Sequence, residues 1–144
     1  MAGGTGVDGR DGARTRVAIA IDVDIVFARQ QGRALAQELG MSTSLQTMVA
    51  TAISEVARNI VAYAGRGEVE LTVLEDGNRR GIEVVARDDG PGIVDVDLAL
   101  MDGFSTAKGL GLGLPGARRL MDEFHLETAP GVGTTVTLRK WVTA

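Results

Sequence analysis

Residues 88–93 read "DDGPGI", Asp88 to Ile93, and follow directly on "GIEVVAR" at 81–87. In that run Ile82, Val84 and Ala86 fall on alternate positions, which predicts a strand. Two acids and two glycines therefore stand where the strand ends. Asp-Gly clusters commonly make surface turns. A carboxylate beside a backbone without Cβ atoms also suits a ligand that must approach the main chain closely. The flanking segments have to decide between these two readings.

Moving towards the N-terminus, Val69, Leu71 and Val73 alternate, and Asp76-Gly77-Asn78 turns the chain into the run that ends at Asp88. This predicts a β-hairpin with a slightly long loop. Before it, "LQTMVATAISEVARNIVAYA" (45–64) has helical periodicity, starts after a Ser/Thr cluster at 42–44 and stops at Gly65. An earlier helix, "IVFARQQGRALAQEL", is expected to be capped by Asp24 and ended by Gly40; "TRVAIAIDVD" precedes it as a strand. Towards the C-terminus, residues 93–108 read as a polar loop with a short helical stretch near "DVDLALM". "GLGLGLPGARRLMDEF" then feeds a helix with Pro115 in its first turn. "HLETA" and "TTVTLRKWV" are two strands joined through "PGVG". Helices come in runs rather than after every strand. The expected fold class is therefore α+β, a two-layer α/β sandwich with a mixed β-sheet. Residues 1–13 read as a flexible Gly-rich tail and 14–144 as one domain.

Bulk composition narrows the function classes. Aromatic residues are 3 % of the 144, so stacking platforms for single-stranded nucleic acid are not expected. A net charge of −4 also disfavours a nucleic-acid surface. Cysteine is absent, which excludes disulfides and thiolate metal sites and fits a reducing, cytoplasmic setting. No apolar run approaches the ~20 residues that span a bilayer, and the first residues lack the apolar stretch of a secretory signal. No membrane association is expected.

Two further patterns carry chemistry. Glu55 and Asn59 are four residues apart and share a helix face. At ~100° per residue they fall on the margin of an apolar stripe of Leu45, Val49, Ala52, Ile53, Val56, Ala57 and Ile60, with Arg58 pointing further out to solvent. Such a margin is either a solvated edge or the wall of a pocket between helix and sheet. The loop "GLGLGLPG" (109–116) opens a helix, where free N–H groups suit phosphate. Gly111, Gly113 and Gly116 satisfy G-x-G-x-x-G, but no strand precedes them and too little chain follows for a dinucleotide-binding unit. No Lys-Ser or Lys-Thr follows the glycines, and there is no "HRD" segment, so neither a Walker loop nor a protein-kinase loop fits.

Taken in order, "EVARN" (55–59), "DDGPG" (88–92), "GLGLG" (109–113) and "GTT" (133–135) resemble the Bergerat ATP-binding fold shared by gyrase, Hsp90, histidine kinases and MutL. Residues 14–142 are most similar to the RsbT-type switch serine/threonine kinases, a group of the GHKL superfamily allied to the anti-sigma-factor kinases. The resemblance implies ATP and Mg²⁺ as cofactors. It implies Glu55 as the catalytic group that orients the attacking hydroxyl and accepts its proton, Asn59 as the Mg²⁺ ligand, and Asp88 as the acceptor for the adenine amine. Gly90 and Gly92 would let the chain pass close to the base, and Asp89 would be exposed turn chemistry. Gly109, Leu110, Gly111, Leu112 and Gly113 would hold phosphates through their main chain, and Thr135 would contact nucleotide. Lys108 departs from the smaller residue of some relatives; it either touches a phosphate or is a solvated lid residue. Residues 95–108 would form a short lid, with Ser105 and Thr106 bonding within it.

The implied function is transfer of the ATP γ-phosphate to a STAS-domain antagonist of the RsbS/RsbR type. Release would then allow activation of a PP2C-type phosphatase of the RsbU type, in stress and sigma-factor partner switching. Two alternatives remain open: an anti-sigma factor of the RsbW or SpoIIAB type, which brings a homodimer with it, and a non-catalytic binding module shaped by ATP. His125, the single histidine, and Trp141 read as structural, and Arg118 and Arg119 as solvated helix positions.

Overall fold

The computed structural model describes residues 14–96, 100 and 113–142. In chain order these form β1 (Arg14–Ile19), α1 (Asp22–Glu38), α2 (Thr43–Asn59), a π-helical turn (Ile60–Ala64), β2 (Gly67–Asp76), β3 (Arg79–Asp88), α3 (Leu114–Leu120), β4 (Glu123–Ala129) and β5 (Gly133–Trp141).

Local chemistry sets the helix ends. Asp24 lies inside the first turn of α1, not before it. Its Oδ2 accepts from the N–H groups of Ala20 and Ile21 at 2.9 and 3.1 Å and so stitches the end of β1 to the helix. Ser42 Oγ accepts from Leu45 N at 3.1 Å and caps α2. Gly40 and Gly65 leave their helices at φ +83° and +88°. The long second helix expected through Ala64 is α-helical only to Asn59; its last turn is wider. α3 is shorter than expected, because Glu123 and Phe124 join β4 and pair with Arg139 and Leu138.

Five strands form one sheet in the order β1-β2-β3-β5-β4, with all four pairings antiparallel. The α+β sandwich is as expected, but the sheet is not mixed. A single crossover helix would return the chain for a parallel strand. Here two helices in succession separate β1 from β2, so the chain comes back to the end it left and β2 runs the other way. The β2–β3 turn is also tighter than expected: Asp76 pairs with Arg79, and only Gly77 (φ +66°) and Asn78 lie between.

Val17, Ile19, Val69, Leu71, Ile82, Val84, Val136 and Leu138 point from the sheet onto Ile25, Ala28, Val49, Ile53, Val56 and Ile60 of the helices. α1 approaches α2 so closely that a Cβ on Gly32 would stand 2.1 Å from Ile53 Cδ1. The opposite face of the sheet carries ion pairs. Glu70, buried there, meets Arg14, Arg16 and Arg87 at 3.2, 3.3 and 3.2 Å. Arg139 joins Glu83 and Glu123 at 2.9 and 3.3 Å.

Candidate active site

The α2 margin is mixed: Asn59 is buried and Glu55 is part-exposed. The apolar stripe below it is buried, with Val49, Ala52, Ile53, Val56, Ala57 and Ile60 each at most 2 % exposed. Asn59, the last residue of α2, is itself only 7 % exposed, and its Oδ1 has no hydrogen-bond partner. A buried carbonyl oxygen left unpaired costs roughly 1–3 kcal/mol. One turn earlier, Glu55 keeps 29 % of its side chain exposed. Its carboxylate lies against Gly113, the residue that leads into α3: a Cβ there would fall 2.1 Å from Glu55 Oε1. Gly113 also has φ +68°. The positive φ favours glycine, and the close approach joins the N-terminal end of α3 to the polar end of α2.

Asp88 ends β3 on the core face of the sheet, beyond Ile82, Val84 and Ala86. Its Oδ1 accepts from Gly90 N at 2.8 Å. Burial pushes its carboxyl above the ordinary aspartate range; hydrogen bonds from the backbone of Gly90 and Thr134 oppose the rise, and the charge of Asp89 adds to it. Glycine surrounds it on both neighbouring strands. A Cβ on Gly67 would meet Arg87 O at 2.2 Å and Asp88 Cβ at 3.1 Å, and one on Gly133 would meet Asp88 O at 2.2 Å. Gly90 packs on Ala64, where a Cβ would reach Ala64 Cβ at 2.6 Å; Gly92, at φ +77°, packs on Ala129 O. The Pro91–Ile93 loop is tied to the β4–β5 turn by Gly131 N to Pro91 O and by Ile93 N to Thr128 Oγ1, both at 2.8 Å. Beside Asp88, at the end of the sheet, opens a cavity of about 560 Å³ lined by Ala64, Gly67, Asp88 and Asp89 and, from the outer face, by Glu68 and Arg87.

The structure thus brings Glu55, Asn59 and Gly113 together at α2, and sets Asp88, Gly90 and Gly92 together at the end of β3. It does not bring Thr135 to this side. Thr135 pairs with Arg87 on the outer face, whereas Thr134 is buried directly opposite Asp88. Strand parity contains the correction: counting back from Leu138 and Val136 puts even-numbered residues on the core face. Lys108, Gly109, Leu110, Gly111 and Leu112, with most of the lid, lie outside the described residues. Asp89 is exposed. His125 is exposed on the outer face, 3.4 Å from Glu127. Trp141 donates from Nε1 to Glu123 at 2.8 Å and stacks under the Arg79 guanidinium at 3.8 Å. Sequence reasoning missed Gly67 and Ala64, whose contacts depend on strand register and on the π-helical turn. Arg58 is exposed, as expected, and its Nη1 also donates to Glu55 Oε1 at 3.2 Å.

A hard cation fits this donor set. The Asn59 carbonyl is the kind of oxygen that Mg²⁺ takes, and it is the one buried side-chain N or O atom without a partner among the described residues. Among the same residues no three His, Cys, Asp or Glu side chains gather into a metal cage. An ion held mainly by phosphate and water, with one protein oxygen, suits such a site.

Residues 44–143 match the profile of the family described as histidine kinase-, DNA gyrase B-, and HSP90-like ATPase. The chain is 49 % identical over 126 residues to the serine/threonine-protein kinase RsbT of Bacillus subtilis (strain 168), covering 88 % of this chain and 95 % of that protein. It is 30 % identical over 122 residues to the anti-sigma F factor of Thermoanaerobacter sp. (strain X514), covering 81 % and 84 %. Among solved structures, the RsbU and RsbW domains of a Mycobacterium tuberculosis protein share the fold with a TM-score of 0.60 at 21 % identity; the match covers 91 % of this chain and 33 % of that longer one. The cleft at α2 and β3 and these likenesses agree: the chain belongs to the histidine kinase-, DNA gyrase B- and HSP90-like ATPase family and, within it, to the RsbT-type serine/threonine-protein kinases.

Proposed function

We propose that residues 14–144 form a catalytic domain that transfers the γ-phosphate of ATP to a serine or threonine of a STAS-domain protein of the RsbS/RsbR type. Once released from that substrate, the kinase engages a PP2C-type phosphatase of the RsbU type, in a cytoplasmic partner-switching circuit. The observation that carries the reading is the unpartnered, buried Asn59 Oδ1 one turn from the Glu55 carboxylate. A fold with no ligand to hold gains nothing from that orphaned oxygen.

The residues divide the work. Asp88 accepts a hydrogen bond from the adenine amine, because a carboxylate offers only acceptors. Thr134, opposite Asp88, takes the role first assigned to Thr135. Gly90 and Gly92 keep side chains away from the base. Asn59 holds Mg²⁺, which when bound neutralises charge on the phosphates. The main chain from Gly109 to Gly113, with Lys108 beside it, cradles the phosphate tail. Glu55 orients the substrate hydroxyl. As its oxygen bonds to the γ-phosphorus, the bond from that phosphorus to the β–γ bridging oxygen breaks, ADP leaves, and the hydroxyl proton passes to Glu55. Phosphoryl transfer rests on positioning and electrostatics, so a carboxylate of ordinary strength suffices.

The test is label transfer from [γ-³²P]ATP to a STAS-domain protein encoded nearby, with parent protein and Glu55→Ala. The variant is expected to bind Mg²⁺-ATP as the parent does and to lose transfer by about 10²–10⁴-fold. Transfer at the parent rate removes Glu55 from the chemistry. The 30 % identity to anti-sigma F factors supports a second reading, in which the chain binds a sigma factor directly as a homodimer. Co-purification with a sigma factor, and no label on any STAS protein, would favour it.

A further inference from the structure

We infer that Arg58 is a positioning residue for phosphoryl transfer, acting through Glu55; the inference rests on the kinase reading above. An i,i+3 pair on a helix surface is commonplace and adds little stability where both partners meet water. Here Arg58 and Glu55 keep 48 % and 29 % of their side chains exposed, so holding the helix together is a poor account of the pair. What sets it apart is where it leaves the carboxylate. Arg58 Nη1 binds Glu55 Oε1 at 3.2 Å, and the same oxygen faces the main chain of Gly113. Oε1 thus sits between the Arg58 guanidinium and the backbone of Gly113. Oε2 has no partner among the described residues.

One oxygen tied and one free is the arrangement a proton acceptor needs. Tying Oε1 stops the carboxylate from rotating about its terminal torsion, which is soft in a free glutamate. Glu55 and Asn59 are four residues apart on one helix face, so a tethered carboxylate stays on the margin that carries Asn59. Arg58 itself precedes Asn59, so one helical turn carries the acceptor, its tether and the buried amide. A reacting geometry displaced by about 1 Å can cost on the order of 10²-fold in rate. Removing the tether should therefore slow transfer without changing how ATP is held.

Five proteins test this: parent, Arg58→Ala, Arg58→Lys, Glu55→Ala and Glu55→Ala/Arg58→Ala. Single-turnover label transfer from [γ-³²P]ATP to the STAS-domain protein gives the rate, calorimetry with Mg²⁺-ATP the affinity, and thermal melting the fold. Arg58→Ala is expected to transfer roughly 10- to 100-fold more slowly, with ATP affinity within about two-fold of the parent and an unchanged melting temperature. Arg58→Lys should recover most of the rate, since an ammonium can still reach a carboxylate three residues away. The double variant should be no slower than Glu55→Ala alone, because the tether has nothing left to hold. The inference is overturned if Arg58→Ala matches the parent rate, or if it slows the Glu55→Ala background by the same factor as the parent. No label transfer by the parent protein contradicts the kinase reading instead, so the two failures are separable.

Discussion

At the scale of single residues, the site is built from groups held in states that folding alone does not favour. Asp88 is half-buried, and burial raises its carboxyl above the usual range. A group whose folded-state pKa is raised binds a proton more readily in the native protein, so its charge destabilises the fold at pH above that value. Asp88→Asn should therefore raise the melting temperature of the nucleotide-free protein at neutral pH. The two proteins should converge as pH falls and Asp88 protonates. A calorimetric melt series across pH checks this, and a variant less stable than the parent at pH 7 contradicts it. The same substitution should weaken ATP binding by about 10- to 100-fold, the worth of a hydrogen bond to a charged group. Stability and function thus pull in opposite directions at this carboxylate.

Among elements, the decisive contacts are glycines where neighbours close in. Gly113 is the sharpest case, with a positive φ and Glu55 where a Cβ would go. Gly113→Ala is expected to cost on the order of 1–2 kcal/mol from backbone strain and to lose phosphate transfer through the displaced Glu55. Denaturant unfolding and label transfer measure the two losses; a stable variant with parent activity would show that α3 does not bear on Glu55. Much of this level was legible in the sequence. Alternation at 69–73 and 82–86 gave the hairpin, the buried stripe of α2 fell at the residues named, and Gly40 and Gly65 ended their helices. What escaped depends on three-dimensional register. Nothing in "AGRGEVE" (64–70) says that Gly67 will lie beside Asp88, because that follows from how β2 and β3 align. The turn at Ile60–Ala64 carries no periodicity signal different from an α-helix, yet it seats Ala64 against Gly90. That Thr134 rather than Thr135 stands opposite Asp88 was readable from strand parity. The antiparallel sheet was readable too, from two helices standing between β1 and β2.

For the molecule as a whole, the sheet separates two environments. One face packs on α1, α2 and α3 and ends at the cleft; the other meets water through ion pairs. Burial alone would raise the Glu70 carboxyl, but hydrogen bonds from Arg16 and Arg87 and the charges of Arg14 and Arg87 outweigh it and hold it below the ordinary range. A lowered folded-state pKa gives stability that is present above the unfolded value and lost as pH falls through the folded one. Glu70→Gln should therefore lower the melting temperature at pH 7 and lose its effect at acid pH, while leaving ATP binding alone, since it lies across the sheet from Asp88. A weakened ATP affinity in that variant would contradict the separation of the two faces. Among the described residues no helix is long and apolar enough to cross a membrane. The claim on which the rest depends is that one Mg²⁺-dependent adenine nucleotide occupies the cleft between α2 and the end of β3. Isothermal titration of ATP into the folded protein tests it most directly, run with Mg²⁺ and again with the metal chelated. Expected are saturable binding at a single site per chain with Mg²⁺ and a marked loss of affinity without it; no binding heat from ATP at saturating Mg²⁺, or an affinity indifferent to the metal, would contradict the account.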